Sequence, residues 1–236
     1  MSAIYKRELR AFFSTPIGYI FTAVFFAVNG ALFNYMTLRD GSSSEVSAYY
    51  MVLLFVFIVI VPLLTMKLFS DEKKQRTEQL LLSAPVRLSE MVMGKFGAAY
   101  TVFAGAFLVS TLIGWIPLFL YGTPNVGMLL GNTFGILLIG AAFVAIGTFI
   151  SSLTESQLVA AIVTMFSIAL LLLISFLNSY IGVDVIREVL SWISIFSRFS
   201  DFAYGMFNIG SVIYYLSIVF LFLFLTVRIY EKKRWA

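Results

Sequence analysis

Chemistry has little to work with in this chain. Its 236 residues include neither histidine nor cysteine, which removes imidazole bases, thiolate nucleophiles, disulfides and the usual zinc ligands together. An intramembrane hydrolase needs a nucleophile with its base, or paired aspartates, yet no charged residue occurs from Phe96 to Thr154. An ion-coupled carrier places acids, arginine or histidine at membrane depth. The polar residues on offer there, Asn29, Asn34, Thr133 and Ser167, relay no protons and read as helix-to-helix hydrogen bonds. A phosphate-cradling G-x-x-x-x-G-K-[ST] loop is absent, since "GKFG" at Gly94 lacks both the spacing and the hydroxyl. Uncharged apolar stretches with no filter-like loop also count against an ion channel.

What remains is one dense charged stretch, "SDEKKQRTEQLLLSAPVRLSEMVMGK" from Ser70 to Lys95, set between apolar flanks. Inside it "RTEQLLLSAP" reads as a short helix. Thr77 is an acceptable N-cap, Glu78 suits the first turn, and Pro85 forces an end. Between them run Gln79, Leu80, Leu81, Leu82, Ser83 and Ala84. Leucines flanked by charge in a water-exposed loop have something to bury against, so this loop is where a soluble partner would touch the chain. On charge alone a second reading stands beside it: a first cytoplasmic loop collects Lys and Arg simply as a topology signal.

The elements around this loop are membrane spans. The chain is 61% hydrophobic and 12% charged, with mean hydropathy +0.97, whereas soluble domains carry about 25% charged residues. Six segments reach the roughly 20 apolar residues that a bilayer core requires, at about 17–38, 49–68, 92–120, 127–150, 158–177 and 211–229. The third is long, and Pro117 near its end is placed to bend it. An even number of spans puts both termini on one side. Lys6, Arg7 and Arg10, the charged stretch, and Arg228, Lys232, Lys233 and Arg234 share that side, against Arg39, Arg187 and Arg198 on the other. The positive-inside rule makes the richer side cytoplasmic. The expected architecture is all-α and polytopic, a single transmembrane domain over 1–236 with a cytoplasmic loop at 69–91.

Two further segments are amphipathic. Residues 1–15 place Tyr5, Leu9, Phe12 and Phe13 on one helical face, predicting a helix in the cytoplasmic interface that turns by an elbow where Thr15 caps and Pro16 opens the first span. Residues 178–210 are too punctuated by charge for a span and predict two short external interfacial helices broken near Ser197. Arg198 and Asp201, three apart, are placed to pair there and hold a lid shut; a re-entrant gate and a passive cap fit equally. Gly127, Gly131 and Gly135 form a smooth stripe on the fourth span, for close helix approach within the chain or between chains.

These residues resemble a known family. "KRELRAFFSTPIGYI" at the N-terminus, "RTEQLLLSAPVRLSEMVMGK" in the loop and "FSRFSDFAYGMFNIGSVIYYLSIVFLFLFLTVRIYEKKRW" at the end are similar to the type-2 ABC exporter permeases, within them most to the gliding-motility and copper-maturation (nitrous-oxide-reductase accessory) branch. The likeness runs the whole length. It implies a permease in the bacterial cytoplasmic membrane that pairs with a second permease and with separate ATP-binding-cassette ATPase subunits. Those subunits hold the ATP and Mg, and no cofactor, metal or catalytic residue falls to this chain. A periplasmic auxiliary subunit is a further candidate partner; nucleic acid is not. Carried onto this sequence, the family's coupling helix runs from Thr77 to Ala84 and ends at Pro85, seated in a groove of the ATPase. The sequence departs from its relatives at Asn208 and Ser211, where acidic residues are common. A membrane scaffold for a motility or assembly machine, driven by the same ATPase without moving a solute, is the alternative function.

Overall fold

Pro16 sets where the first span begins. Its ring fixes a helical φ without needing a backbone donor, and Thr15 before it is extended, at φ −107° and ψ 155°. The Thr15 hydroxyl does not cap the span as expected; it donates back to the Ala11 carbonyl at 2.9 Å. The computed structural model describes residues 2–38, 46–77, 87–177 and 194–235, and among these there is no strand. The elements are α1 (Ser2–Ser14), α2 (Pro16–Phe33) running into a π-helical turn (Asn34–Leu38), α3 (Val46–Thr65), the short α4 (Ser70–Lys74), α5 (Leu88–Tyr121), α6 (Val126–Leu153), α7 (Gln157–Leu177), α8 (Ile195–Ala203) and α9 (Ile209–Trp235). Six helices are long and apolar enough to cross a membrane, and they coincide with the six expected spans to within a few residues at most ends. The second, counted with the turn after α3 and with α4, reaches into the charged stretch at Lys74. At 34 residues α5 continues unbroken past Pro117. It is about 51 Å long at 1.5 Å per residue, well over the ~30 Å hydrocarbon layer.

The most buried span is α6, with α3, α5, α7, α8 and α9 packed around it. Its small residues set the crossing distances. Gly140 faces the Phe103 ring of α5, and Gly147 faces Thr65 of α3. A ladder of rings fills the space behind: Phe25 stacks on Phe57 at 6.4 Å, and Phe57 meets Phe103 edge-on at 5.1 Å. A methyl group at Gly140 would fall inside the Phe103 ring. Gly140→Ala is therefore expected to cost about 1–3 kcal/mol of overpacking strain, read as a lower unfolding temperature in detergent.

The basic segments meet at one end of the bundle. Arg7 of α1 approaches Glu72 of α4 at 3.3 Å, and Phe69 lies 5.0 Å from Tyr230 near the end of α9. At the other end α8 starts at Ser194, whose hydroxyl accepts from the Ser197 N–H at 3.2 Å. Ser197 thus lies inside the first turn of α8, which Ser194 caps, and is not the expected break. Residues 178–193, including the first of the two expected external helices, lie outside the described residues.

Candidate functional site

The charged stretch folds around the end of α3. An α-helix leaves its last carbonyls without helical partners, and the polar backbone groups just past the end of α3 are met from neighbouring spans. The Ser151 hydroxyl of α6 donates to the Met66 carbonyl at 3.2 Å and accepts from the Phe69 and Ser70 N–H groups at 3.1 and 3.2 Å. Lys95 of α5 donates to the Leu68 carbonyl at 2.7 Å. The chain turns within a few residues and starts again as α4.

The five residues of α4 touch most of the bundle's basic end. The Glu72 carboxylate receives Lys95 at 2.8 Å and Arg7 at 3.3 Å, and Lys95 also reaches Glu8 of α1 at 3.3 Å. Lys73 donates to the Ser152 carbonyl of α6. Asp71 accepts from Gln157 of α7 at 2.6 Å. Lys95 is only 1% exposed and its ammonium sits 5.0 Å from the Phe69 ring centre. A buried cation survives only when paired and hydrogen-bonded, and the two carboxylates with one carbonyl provide that. Arg7 is half in solvent and contributes less. Its guanidinium is held above its ordinary value chiefly by the hydrogen bond to Glu8, against partial burial. Beside these groups lies an open cleft of about 380 Å³, bordered by Arg7, Glu8, Asp71, Glu72, Thr77 and Lys95.

Thr77 is the last described residue before the expected coupling segment, and it is tied to the same carboxylate-bearing residue, Glu72. Arg76 has φ +55°; its N–H donates to the Lys73 carbonyl at 3.0 Å, and the Thr77 N–H donates to the Glu72 carbonyl at 3.0 Å. That pair of bonds closes α4 as a Schellman cap, with arginine where glycine is usual. The Thr77 hydroxyl also donates to the Glu72 carbonyl, at 3.3 Å; the N–H groups it would cap as the expected start of the next helix lie outside the described residues. Glu78, Gln79, Leu80, Leu81, Leu82, Ser83, Ala84 and Pro85 lie outside the described residues.

The elbow face needs one correction. Ile4, Tyr5, Leu9 and Phe12 of α1 pack on the bundle, whereas Phe13 is 41% exposed and meets Tyr19 edge-on at 5.9 Å. The partner surface is α5: Ile4 sits over Gly94, Tyr5 over Gly97, and the Tyr5 hydroxyl donates to Thr101 at 3.0 Å. The elbow is therefore bolted to the same helix that carries Lys95.

The glycine stripe is consumed inside the chain. Gly131 and Gly135 receive the Phe202 carbonyl and the Phe199 ring of α8, and the Gly127 carbonyl abuts Gly205. Gly205 takes the left-handed φ of +76° that lets the chain turn there. These contacts carry α8 about 8–14 Å along α6 from its Val126 end, so it dips into the bundle. The expected pairing of Arg198 with Asp201 is replaced. Asp201 accepts from Asn208 at 2.8 Å and from Ser211 at 3.5 Å, while Arg198 lies over the Tyr214 ring at 5.7 Å.

Sequence reasoning treated Lys95 as one more topology charge and did not single out Glu8, Ser151 or Gln157. The available signal was a lysine at the entry of a long uncharged span, between Gly94 and Gly97, where a neighbouring helix can come close.

A model of the family described as ABC-2 family transporter protein matches residues 2–233. No curated protein matches the chain.

Proposed function

The chain belongs to the ABC-2 transporter family, and from that premise we propose that it is the permease subunit of an ATP-driven exporter whose ATPase is a separate chain docked on residues Thr77 to Pro85. One observation carries this reading. Thr77 is bonded to Glu72, Glu72 to Lys95 and Arg7, and Lys95 to Glu8, so the foot of the coupling segment is continuous with α1, α4 and α5. Asp71, Lys73 and Ser151 extend the same connection to α6 and α7. A push on the loop is delivered to the spans as a group and is not absorbed in a slack linker. In this account ATP closes the ATPase subunits on each other, the coupling helix moves with them, and the spans rearrange around a path shared with a second permease. The uncovered apolar faces of α2 and α9 are available to lipid or to that second permease. The likeness of the elbow and C-terminal segment to the gliding-motility and copper-maturation branch supports a place in a bacterial inner membrane.

The reading requires the basic end to face the cytosol. Reporter fusions at Ser2, Lys74 and Ala236 are expected to report the inside, and one at Ser43 the outside. A Lys74 reporter found outside overturns the proposal, because no cytosolic ATPase would then reach the loop.

A further inference from the structure

A second cleft, of about 300 Å³, lies at the opposite end of the bundle between α2, α3 and α5. Its frame is preformed. The Tyr49 hydroxyl donates to the Asn29 carbonyl oxygen, and the Asn29 amide donates to Ser110; Asn29 and Tyr49 are both buried. Tyr50 reaches Thr133 at 3.5 Å, and Thr133 itself donates to the Leu129 carbonyl at 2.7 Å. Against this satisfied frame two groups on one face of α5 are buried without a hydrogen-bond partner in strict geometry among the described residues: the Thr111 hydroxyl and, one turn later, the Trp115 indole N–H. Both lie close to the Tyr50 hydroxyl, which is itself engaged with Thr133. Buried polar groups left unmet cost free energy, and an unmet pair lining a cleft marks a place for a ligand atom.

The chemistry of that atom follows from the lining. Indole N–H only donates, so the ligand brings an acceptor oxygen. Among the described residues no charged side chain lines the cleft, which suits a ligand whose recognised part is neutral. The opening passes Phe26, Gly30 and Ile113, all exposed, on the lipid-facing side of two spans. A side chain at Gly30 would meet no atom within 4 Å, which leaves the mouth clear. Trp115 sits six residues inside the outer end of α5 at Tyr121, about 9 Å along the axis. With Tyr121 at head-group level, that is the depth where lipid head groups give way to chains. The π-helical turn Asn34–Leu38 borders the cleft, and such turns recur at functional sites. The volume is at the low end for ligand pockets and suits part of a lipid, not a whole one.

We propose that this cleft binds the acyl-ester region of a membrane lipid, with Trp115 and Thr111 donating to the ester carbonyl and Asn29, Tyr49 and Ser110 holding the wall. The inference rests on the cleft and the span positions alone and stands whether or not the chain exports a solute.

The test compares diacyl with dialkyl-ether phosphatidylcholine, which differ in that carbonyl. Delipidated chain in detergent is titrated with each lipid, and retained adducts are counted by native mass spectrometry. One diacyl lipid per chain is expected to survive, retained about fivefold over the ether lipid, as one net hydrogen bond allows. Trp115→Phe and Thr111→Val are expected to bring that ratio close to one. Gly30→Leu is expected to abolish retention by filling the mouth. Equal retention of the two lipids, or none, overturns the proposal. So does a Trp115→Phe chain that is less stable when empty yet keeps the wild-type ratio, because the indole would then serve the fold.

Discussion

Replacing Lys95 by methionine is expected to destabilise the protein by about 3 kcal/mol, the low end of the cost of breaking a buried ion pair. Methionine fills a similar volume, so the loss isolates charge and hydrogen bonding. It strands the Leu68 carbonyl and removes the cation shared by Glu72 and Glu8. The low end applies because the two carboxylates keep 19% and 14% of their side-chain surface in solvent, and water compensates them in part. The double variant Lys95→Met/Glu72→Gln is expected to recover part of the loss, since an uncompensated carboxylate is what makes the single change costly. Thermal unfolding in detergent reads both. A single-variant loss under about 1 kcal/mol would mean that water reaches Lys95 and that the link between α4 and α5 is weaker than its distances imply. The variant also has a functional readout: a loosened α4 is expected to uncouple ATP hydrolysis from permease motion while leaving the ATPase bound.

The spans were legible because length and hydropathy alone determine them, and Pro16 marks its own position. The glycine stripe was legible as a close-approach surface, but its occupant was not. α8 is some 70 residues away, and nothing in the period of α6 names Phe199 or Phe202. Arg198 and Asp201 show why spacing on one helix is a weak guide. The turn at Gly205 brings Asn208 and Ser211 back to Asp201, and uncharged partners took the carboxylate. At Asn208 and Ser211 a neutral side chain suits an acid already in place. The elbow face slipped by one residue because Phe12 and Phe13 are equally apolar, and only Gly94 and Gly97 on α5 decide for Ile4 over Phe13. Lys95 was the larger miss. Its partners lie 23 and 87 residues away in sequence, and a lysine beside a loop already rich in lysine is indistinguishable from a topology signal until the fold brings Glu72 and Glu8 to it.

The coupling segment carries the other large effect. Leu80, Leu81 and Leu82 follow directly on a loop foot anchored through Thr77, Glu72 and Lys95. If they seat in an ATPase groove, each buried side chain contributes roughly 1.5–3 kcal/mol before entropic offsets. Removing all three is then worth several kcal/mol of association, a loss of more than a hundredfold in affinity. The same change leaves α4 and the Lys95 contacts untouched, so the permease is expected to keep its unfolding temperature. That separation distinguishes this variant from Lys95→Met, which weakens the transmission and leaves the grip. The most direct measurement is therefore copurification: the Leu80/Leu81/Leu82→Ser chain and the unaltered chain are each isolated from membranes with their ATPase, and bound ATPase and its coupled activity are compared. The expected result is near-complete loss of both from a permease that is still folded; full recovery of ATPase with full coupled activity would contradict the assignment of Thr77 to Pro85 as the docking segment.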